Sequence, residues 1–228
     1  MLETSLAAPI VSGTKRSDTL VSVSDRRRRI DAERNDQRLL DATRTAIADL
    51  GSAVSVDAIA ARAGVGVGTV YRRYANKEAL LQRVCLDAVD VVRREAEDAL
   101  AALPGDAWAA VERFVRRCVE QRVGALAAVA GSFVPVDQLV DAADLAHRRV
   151  AELVTGAQRN GVVRADVGSV DILRLIAVHS RGMDPRGGSD RALAISLDGL
   201  RQQGLPPLSG PAPTWRDERA RWSSNDPS

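Results

Sequence analysis

The segment from Ser55 to Leu81, SVDAIAARAGVGVGTVYRRYANKEALL, restricts what this chain can fold into more than any other. Ser55 is a good helix N-cap, since its hydroxyl can accept a hydrogen bond from an orphan N–H of the first turn. Val56, Ile59, Ala60 and Ala63 then recur at helical spacing and form one apolar stripe. Gly64 ends that helix, because glycine enters the left-handed conformation of a C-cap without a Cβ penalty. Gly66 opens a second short helix bearing Val67, Val70, Tyr71 and Tyr74. Asn76 caps a third, which begins Lys77-Glu78-Ala79-Leu80-Leu81.

This spacing predicts a helix-turn-helix. Ala60 is small enough for two helices to touch, Gly64 makes the turn, and Val70 pins the second helix on the first. The second helix then exposes Thr69, Tyr71, Arg72 and Arg73: a hydroxyl, a phenol and two guanidinium groups, which can bond phosphates and base edges. A small helical hairpin with a solvated basic face is the plainer reading of the same spacing. Gly68 stands inside the second helix, where it costs about 1 kcal/mol relative to alanine. Close approach of the backbone to a phosphate would rationalise it.

The stretch AGVGVGTVYRRYANKEALL resembles the helix-turn-helix and fourth-helix start of the tetracycline-repressor (TetR) family of bacterial transcriptional regulators. The resemblance is specific from about Asn35 to Leu81 and continues only as a helix pattern beyond that. It implies a double-stranded DNA operator of imperfect palindromic sequence. Tyr71 and Lys77 are then expected on phosphates and Arg72 and Arg73 on bases, with Ser55 and Thr69 completing the DNA-binding set. It also implies a homodimer through the two C-terminal helices, near Ile172–His179 and Leu193–Leu200, whose wide apolar faces a single helical layer would not cover. Finally, it implies a small-molecule effector in a pocket between the fourth and eighth helices. Trp108, Phe114, Phe133, His147 and His179 are the candidates for lining that pocket, ordinary core or surface being the alternative for each. The reading is a repressor released by an inducer. A regulator with no small-molecule ligand, or a helical protein-interaction scaffold that never meets DNA, is the alternative.

Charge is placed in agreement with this. Residues 1–83 hold fourteen Lys+Arg against ten Asp+Glu, whereas the remainder holds eighteen against twenty, so a basic third precedes a near-neutral body. Aromatic residues are 3% of the chain, too few for a single-strand stacking platform. Cys85 and Cys118 fall on apolar helix faces and are expected to pack rather than react. No zinc spacing, disulfide framework, secretory leader or apolar run of membrane-spanning length is seen, and a cytoplasmic location is expected.

Taken in order, residues 1–25 are unperiodic and read as a disordered tail, followed by the basic run Arg26–Arg29. That run is either a solvated tail or an arm that reaches phosphates or the minor groove. The first helix is expected to start near Asn35, with Asp36 at the positive end of its dipole. Leu39, Leu40, Thr43, Ala46, Ile47 and Leu50 form its buried stripe, and Gly51 ends it. A fourth helix from Lys77 to about Leu103, ~40 Å long at 1.5 Å per residue, links both parts of the molecule as a rod. Asp106 caps the fifth helix, and a short apolar piece runs from Ala125 to Ala130. A long helix follows from about Val136 to Arg159. Ser169 caps the next, the eighth, and a last one starts near Ser189. The Gly- and Pro-rich stretch Gly182–Gly188 separates these two.

The expected fold is all-α, with about nine helices. The helix-turn-helix domain occupies 26–80, the ligand-binding and dimerisation domain 81–203, and a flexible tail 204–228. An enzyme would need a nucleophile with its base, paired carboxylates or metal ligands at helix spacing. With two histidines, no HExxH and no phosphate loop, the chain offers no catalytic set, no metal site and no cofactor motif.

Overall fold

Local capping chemistry sets most of the helix boundaries in the computed structural model, which describes residues 23–129, 137–181, 188–204 and 206–223. Nine α-helices and no strand occur among these residues: α1 (Val23–Leu50), α2 (Val56–Ala63), α3 (Val67–Arg73), α4 (Lys77–Ala102), α5 (Ala107–Glu120), α6 (Asp137–Arg159), α7 (Ser169–His179), α8 (Gly188–Leu200) and α9 (Trp215–Ser223). A 3-10 turn, Val123–Ala128, stands where the short apolar piece was expected. The chain divides into two compact units, residues 1–35 and 36–228. In the first, the described residues are the opening turns of α1, where Arg26 and Arg27 are exposed.

In the second unit, Leu39, Leu40, Thr43, Ala46 and Ile47 of α1 are buried as expected, but Leu50 is half exposed. Gly51 (φ 63°) turns the chain beside Leu50, so that residue lies past the buried stripe. Ser55 Oγ accepts from the Ala58 N–H at 3.1 Å, and Gly64 closes α2 in the left-handed region at φ 67°. Asn76 Oδ1 accepts from the Ala79 N–H at 2.8 Å to start α4, and Asp106 Oδ1 does the same for Ala109 at 2.9 Å to start α5. At α7 the cap is Gly168, whose N–H donates to Asp171 at 2.8 Å. Ser169, expected as the cap, is instead the first helical residue.

Two corrections concern the ends of the chain. Helix α1 begins at least twelve residues before Asn35, so Asp36 lies inside the helix and not at its positive end. Residues 26–34 have no apolar stripe, and their helix rests on the high helical propensity of Arg, Ala and Glu. The expected disordered segment 1–25 otherwise lies outside the described residues. At the other end, the segment read as a flexible tail carries α9 and is bonded to the body. Arg164 is the anchor: it is buried, donates to Asp166 at 2.6 and 2.8 Å, and donates to the Pro206 carbonyl at 2.7 Å. Asp166 in turn accepts from the Leu208 N–H at 2.7 Å. Thr214 and Asp217 then cap α9 reciprocally, the Asp217 N–H donating to Thr214 Oγ1 at 3.2 Å and the hydroxyl donating to the carboxylate at 2.6 Å.

Helix α4 is the central element, packed mainly on α6 and α5. It has no internal Gly or Pro, and Leu80, Leu81, Val84, Ala88, Val91, Ala96 and Ala99 bury one face along its length. Gly124 in the 3-10 turn lies directly on α7. A Cβ there would stand 2.5 Å from Ala177 Cα and 2.6 Å from the Ile176 carbonyl oxygen. The Gly182–Pro-rich interruption before α8 falls at 182–187, outside the described residues.

Candidate DNA-binding surface and ligand cavity

Helices α2 and α3 form a helix-turn-helix as expected. Val70 is 1% exposed and holds α3 against Ile59 and Ala60 in the shared core. The outward side of α3 carries Tyr71, which is 51% exposed, and the exposed Arg72, while Thr69 is half-buried. Lys77 is half-buried at the first position of α4, where the helix presents its positive dipole end. Ser55 has used an acceptor site to cap α2; its O–H remains able to donate. Gly68 faces open space, with nothing within 4 Å of where a Cβ would stand, so no packing among the described residues demands glycine there.

Arg73 differs from the expectation of a free base reader. Its guanidinium donates to Asp36 of α1 at 3.0 Å, and the Tyr74 hydroxyl donates to the same carboxylate oxygen at 3.1 Å. Burial, followed by the Asp36 charge, pushes the Tyr74 phenol up to about 12, so it stays protonated as a donor. The C-terminal end of α3 is thus clamped to α1, and Arg72 makes no such ion pair among the described residues. Asp49 provides a second clamp, accepting from Arg62 of α2 and, at 3.0 Å, from Arg122 beyond α5. These guanidinium groups hold the Asp49 carboxyl below its ordinary range against the opposing effect of burial.

Behind this surface a cavity of about 180 Å³ opens between α4, α6, α7, the 3-10 turn and α9. Cys85, Ala88, Val89 and Val92 of α4 form one wall, Leu139, Ala143 and Ala146 of α6 another, and Leu173, Ile176 and Ala177 of α7 a third. Polar groups come from His147, Arg174, Trp215 and Glu218. His147 Nε2 is 2.9 Å from Ser169 Oγ, and its ring stacks on Trp215 with centroids 4.5 Å apart. Burial pushes the His147 imidazole below its ordinary value, with Asp144 opposing and Arg148 reinforcing the shift. Burial alone pushes the Cys85 thiol up to about 12, which leaves it unreactive, and Cys118 is shifted the same way.

Of the five residues expected at a pocket, His147 alone of those described lines this cavity. Phe114 is 1% exposed in the core. Trp108 donates to Glu112 at 3.2 Å, with the Arg201 guanidinium 4.3 Å above its ring. His179 Nε2 pairs with Ser196 Oγ at 2.9 Å, joining α7 to α8. Phe133 lies outside the described residues. The residues missed are Arg174, Trp215 and Glu218. Arg174 was visible as a lone charge within Ile172-Leu173-Arg174-Leu175-Ile176, and the Thr214–Asp217 spacing as a helix start.

The model of the N-terminal domain of bacterial regulatory proteins of the TetR family matches residues 39–84, and that of the SbtR-like transcriptional regulator C-terminal domain matches 103–202. A TetR transcription regulatory protein from Mycobacterium vanbaalenii has a similar structure, with 36% identity, a TM-score of 0.51, and coverage of 76% of this chain and 98% of that one. This chain belongs to the TetR family. A TetR transcriptional regulator from Streptomyces coelicolor is 26% identical, with a TM-score of 0.52 over 73% of this chain and 98% of its own. The TetR-like regulator LfrR from Mycobacterium smegmatis, solved in complex with proflavine, shares the fold at 22% identity and a TM-score of 0.53, covering 77% of this chain and 99% of that one. No curated protein matches the chain. As a TetR-family member the chain is a DNA-binding transcriptional regulator and not an enzyme. No helix among its described residues is long and apolar enough to cross a membrane.

Proposed function

We propose that this TetR-family regulator binds a palindromic operator as a homodimer and is released from it by a small molecule held in the cavity against α4. The observation that carries this reading is one helix serving both sites. Lys77 begins α4 beside the helix-turn-helix, and Cys85, Ala88, Val89 and Val92 of the same uninterrupted helix line the cavity. A ligand that wedges α4 changes the separation of two recognition helices, which must stand about 34–36 Å apart to read successive major grooves. The DNA-binding part is assigned to 26–80 and the ligand-binding and dimerisation part to 81–203. Repression is the proposed outcome, and the proflavine held by LfrR supports a ligand-responsive reading.

The dimer is proposed to form through α7 and α8, where Val178 and Ile195 are 69% and 64% exposed. On the DNA side, Tyr71 and Lys77 hold phosphates and Arg72 reads bases, with Ser55 and Thr69 donating hydroxyls beside them. The test is selection of bound fragments from genomic DNA, followed by anisotropy titrations on the selected site. A palindrome, and a Lys77→Ala variant whose salt slope is lower by roughly one unit, are expected. A lone asymmetric half-site, or monomer at micromolar concentration in sedimentation, would overturn the dimer. A regulator with no small-molecule ligand is the second reading, and α9 lying against the cavity favours it.

A further inference from the structure

The segment that closes the cavity resembles, in its chemistry, the ligand it would exclude. Residues 203–223 lie beyond the matched C-terminal family domain, yet α9 supplies Trp215 and Glu218 to the cavity wall. Glu218 Oε2 accepts from Arg174 Nε at 3.2 Å and from a terminal nitrogen of the same guanidinium at 2.9 Å. Trp215 covers His147, and its indole N–H donates to Asp144 at 2.7 Å. One turn on, Arg219 donates to the same Asp144 at 2.7 Å. The rest of the lining is aliphatic or small.

We infer that Glu218 is a built-in competitor occupying the Arg174 subsite, and that the cavity takes an apolar monocarboxylate whose binding displaces α9. This rests on the reading that the cavity binds a small molecule. Arg174 donates two N–H groups to a single oxygen of the Glu218 carboxylate, a charge-assisted pair that only another anion can replace in kind. A neutral ligand that pushed α9 aside would leave Arg174 without its anion. A cation would gain nothing, since Glu218 leaves with α9. A carboxylate ligand instead restores the same pair of hydrogen bonds while its body enters the aliphatic part. Size narrows the class: dry apolar cavities of about 150 Å³ admit benzene, so about 180 Å³ takes a body of roughly six to eight carbons. Because Glu218 is tethered, it competes at an effective concentration in the millimolar range, and removing its charge tightens ligand binding.

The test uses the full chain with two probes that share a phenyl ring, the anion benzoate and the neutral benzyl alcohol. Dissociation constants come from calorimetry, and opening of α9 from hydrogen exchange of the 215–223 amides. Benzoate is expected to bind at least tenfold more tightly than benzyl alcohol and to speed exchange in α9. Glu218→Gln is expected to tighten benzoate about tenfold, whereas benzyl alcohol, which occupies the cavity with α9 in place, is expected to stay within threefold. Arg174→Gln is expected to abolish the preference for benzoate. Should that variant misfold, the Glu218→Gln comparison decides alone. Benzyl alcohol binding with no advantage for benzoate overturns the competitor while sparing the cavity. Unchanged benzoate affinity in Glu218→Gln, or slower exchange in α9 on binding, also overturns it. Failure of both probes, in the wild type and in Glu218→Gln, overturns the cavity reading together with it.

Discussion

Arg44 of α1 and Asp87 of α4 form an ion pair almost out of water, with side chains 5% and 12% exposed. Arg44 also holds Asp41, one turn earlier on its own helix. The pair joins the helix on which the helix-turn-helix packs to the helix that lines the cavity. Buried pairs of this kind add little net stability when complete, but removing one partner leaves a charge where water cannot reach it. Arg44→Met or Asp87→Leu alone should therefore cost about 3–5 kcal/mol, and the double variant should recover most of that loss. Urea denaturation of all four proteins checks this, and additive losses in the double variant would refute it.

The two adjacent arginines of α3 should separate in their effects on DNA. Arg72→Ala should relax discrimination at one base pair by about 1–3 kcal/mol. Arg73 is bonded to Asp36, so Arg73→Ala should lower affinity for operator and random duplex by similar factors, through a looser α3. Anisotropy titrations against single-base operator variants distinguish the two patterns. An equal loss across all sequences for Arg72→Ala would contradict its base-reading role.

Glycines 124 and 156 should differ in their response to alanine. At Gly124 the new methyl would meet the backbone of Ala177 and Ile176, which cannot swing aside, and a loss of about 1–3 kcal/mol is expected. At Gly156 the obstacle is Leu103 Cδ1, the end of a flexible side chain. There the gain of about 1 kcal/mol in helix propensity offsets the adjustment. Thermal unfolding of both variants gives the comparison, and equal shifts would show that backbone contact is not what requires glycine at position 124.

Acidification should weaken the fold through His147. Burial holds its imidazole below the ordinary value, so below about pH 6.5 the unfolded chain binds the proton more readily than the folded one. The contribution is fully present above that pH and is lost as the pH falls towards the depressed folded-state value. The groups facing the ring are Ser169 and Trp215, and the Asp144 and Arg148 charges act on it. Wild type should lose more stability between pH 7.5 and 5.5 than His147→Gln, as followed by melting temperature. Identical pH profiles would refute this.

The parts legible in the sequence are those fixed within a few residues. Ser55, Gly64, Asn76 and Asp106 each cap a helix through a neighbour three or four positions away, so their roles follow from spacing. The clamp from Arg73 to Asp36 spans 37 positions and the pair from Arg174 to Glu218 spans 44, and no local pattern announces either. Helix α9 escaped for that reason, since its polar sequence is held in place by Arg174, Asp144 and Arg164. The cavity was hidden for another. Its walls are mostly Ala, Val and Leu, which look the same in sequence whether they touch a neighbour or an empty space, whereas Trp108 and Phe114 drew attention by size and are packed elsewhere.

The contact of Gly124 with Ala177 has a consequence for how the binding specificity of such a chain can drift. On that side the cavity is bounded by main chain lying on main chain, and no single-residue change can trim it. Ala88, Ala143 and Ala146 are already small. Room for a bulkier ligand must therefore come from shortening the larger wall residues, such as Val89, Val92, Leu139, Leu173 or Ile176, or from losing the closing helix. If the cavity holds an effector as proposed, descendants of this sequence would reach new ones by carving α4, α6 or α7 or by shedding the C-terminal segment, while position 124 stayed fixed.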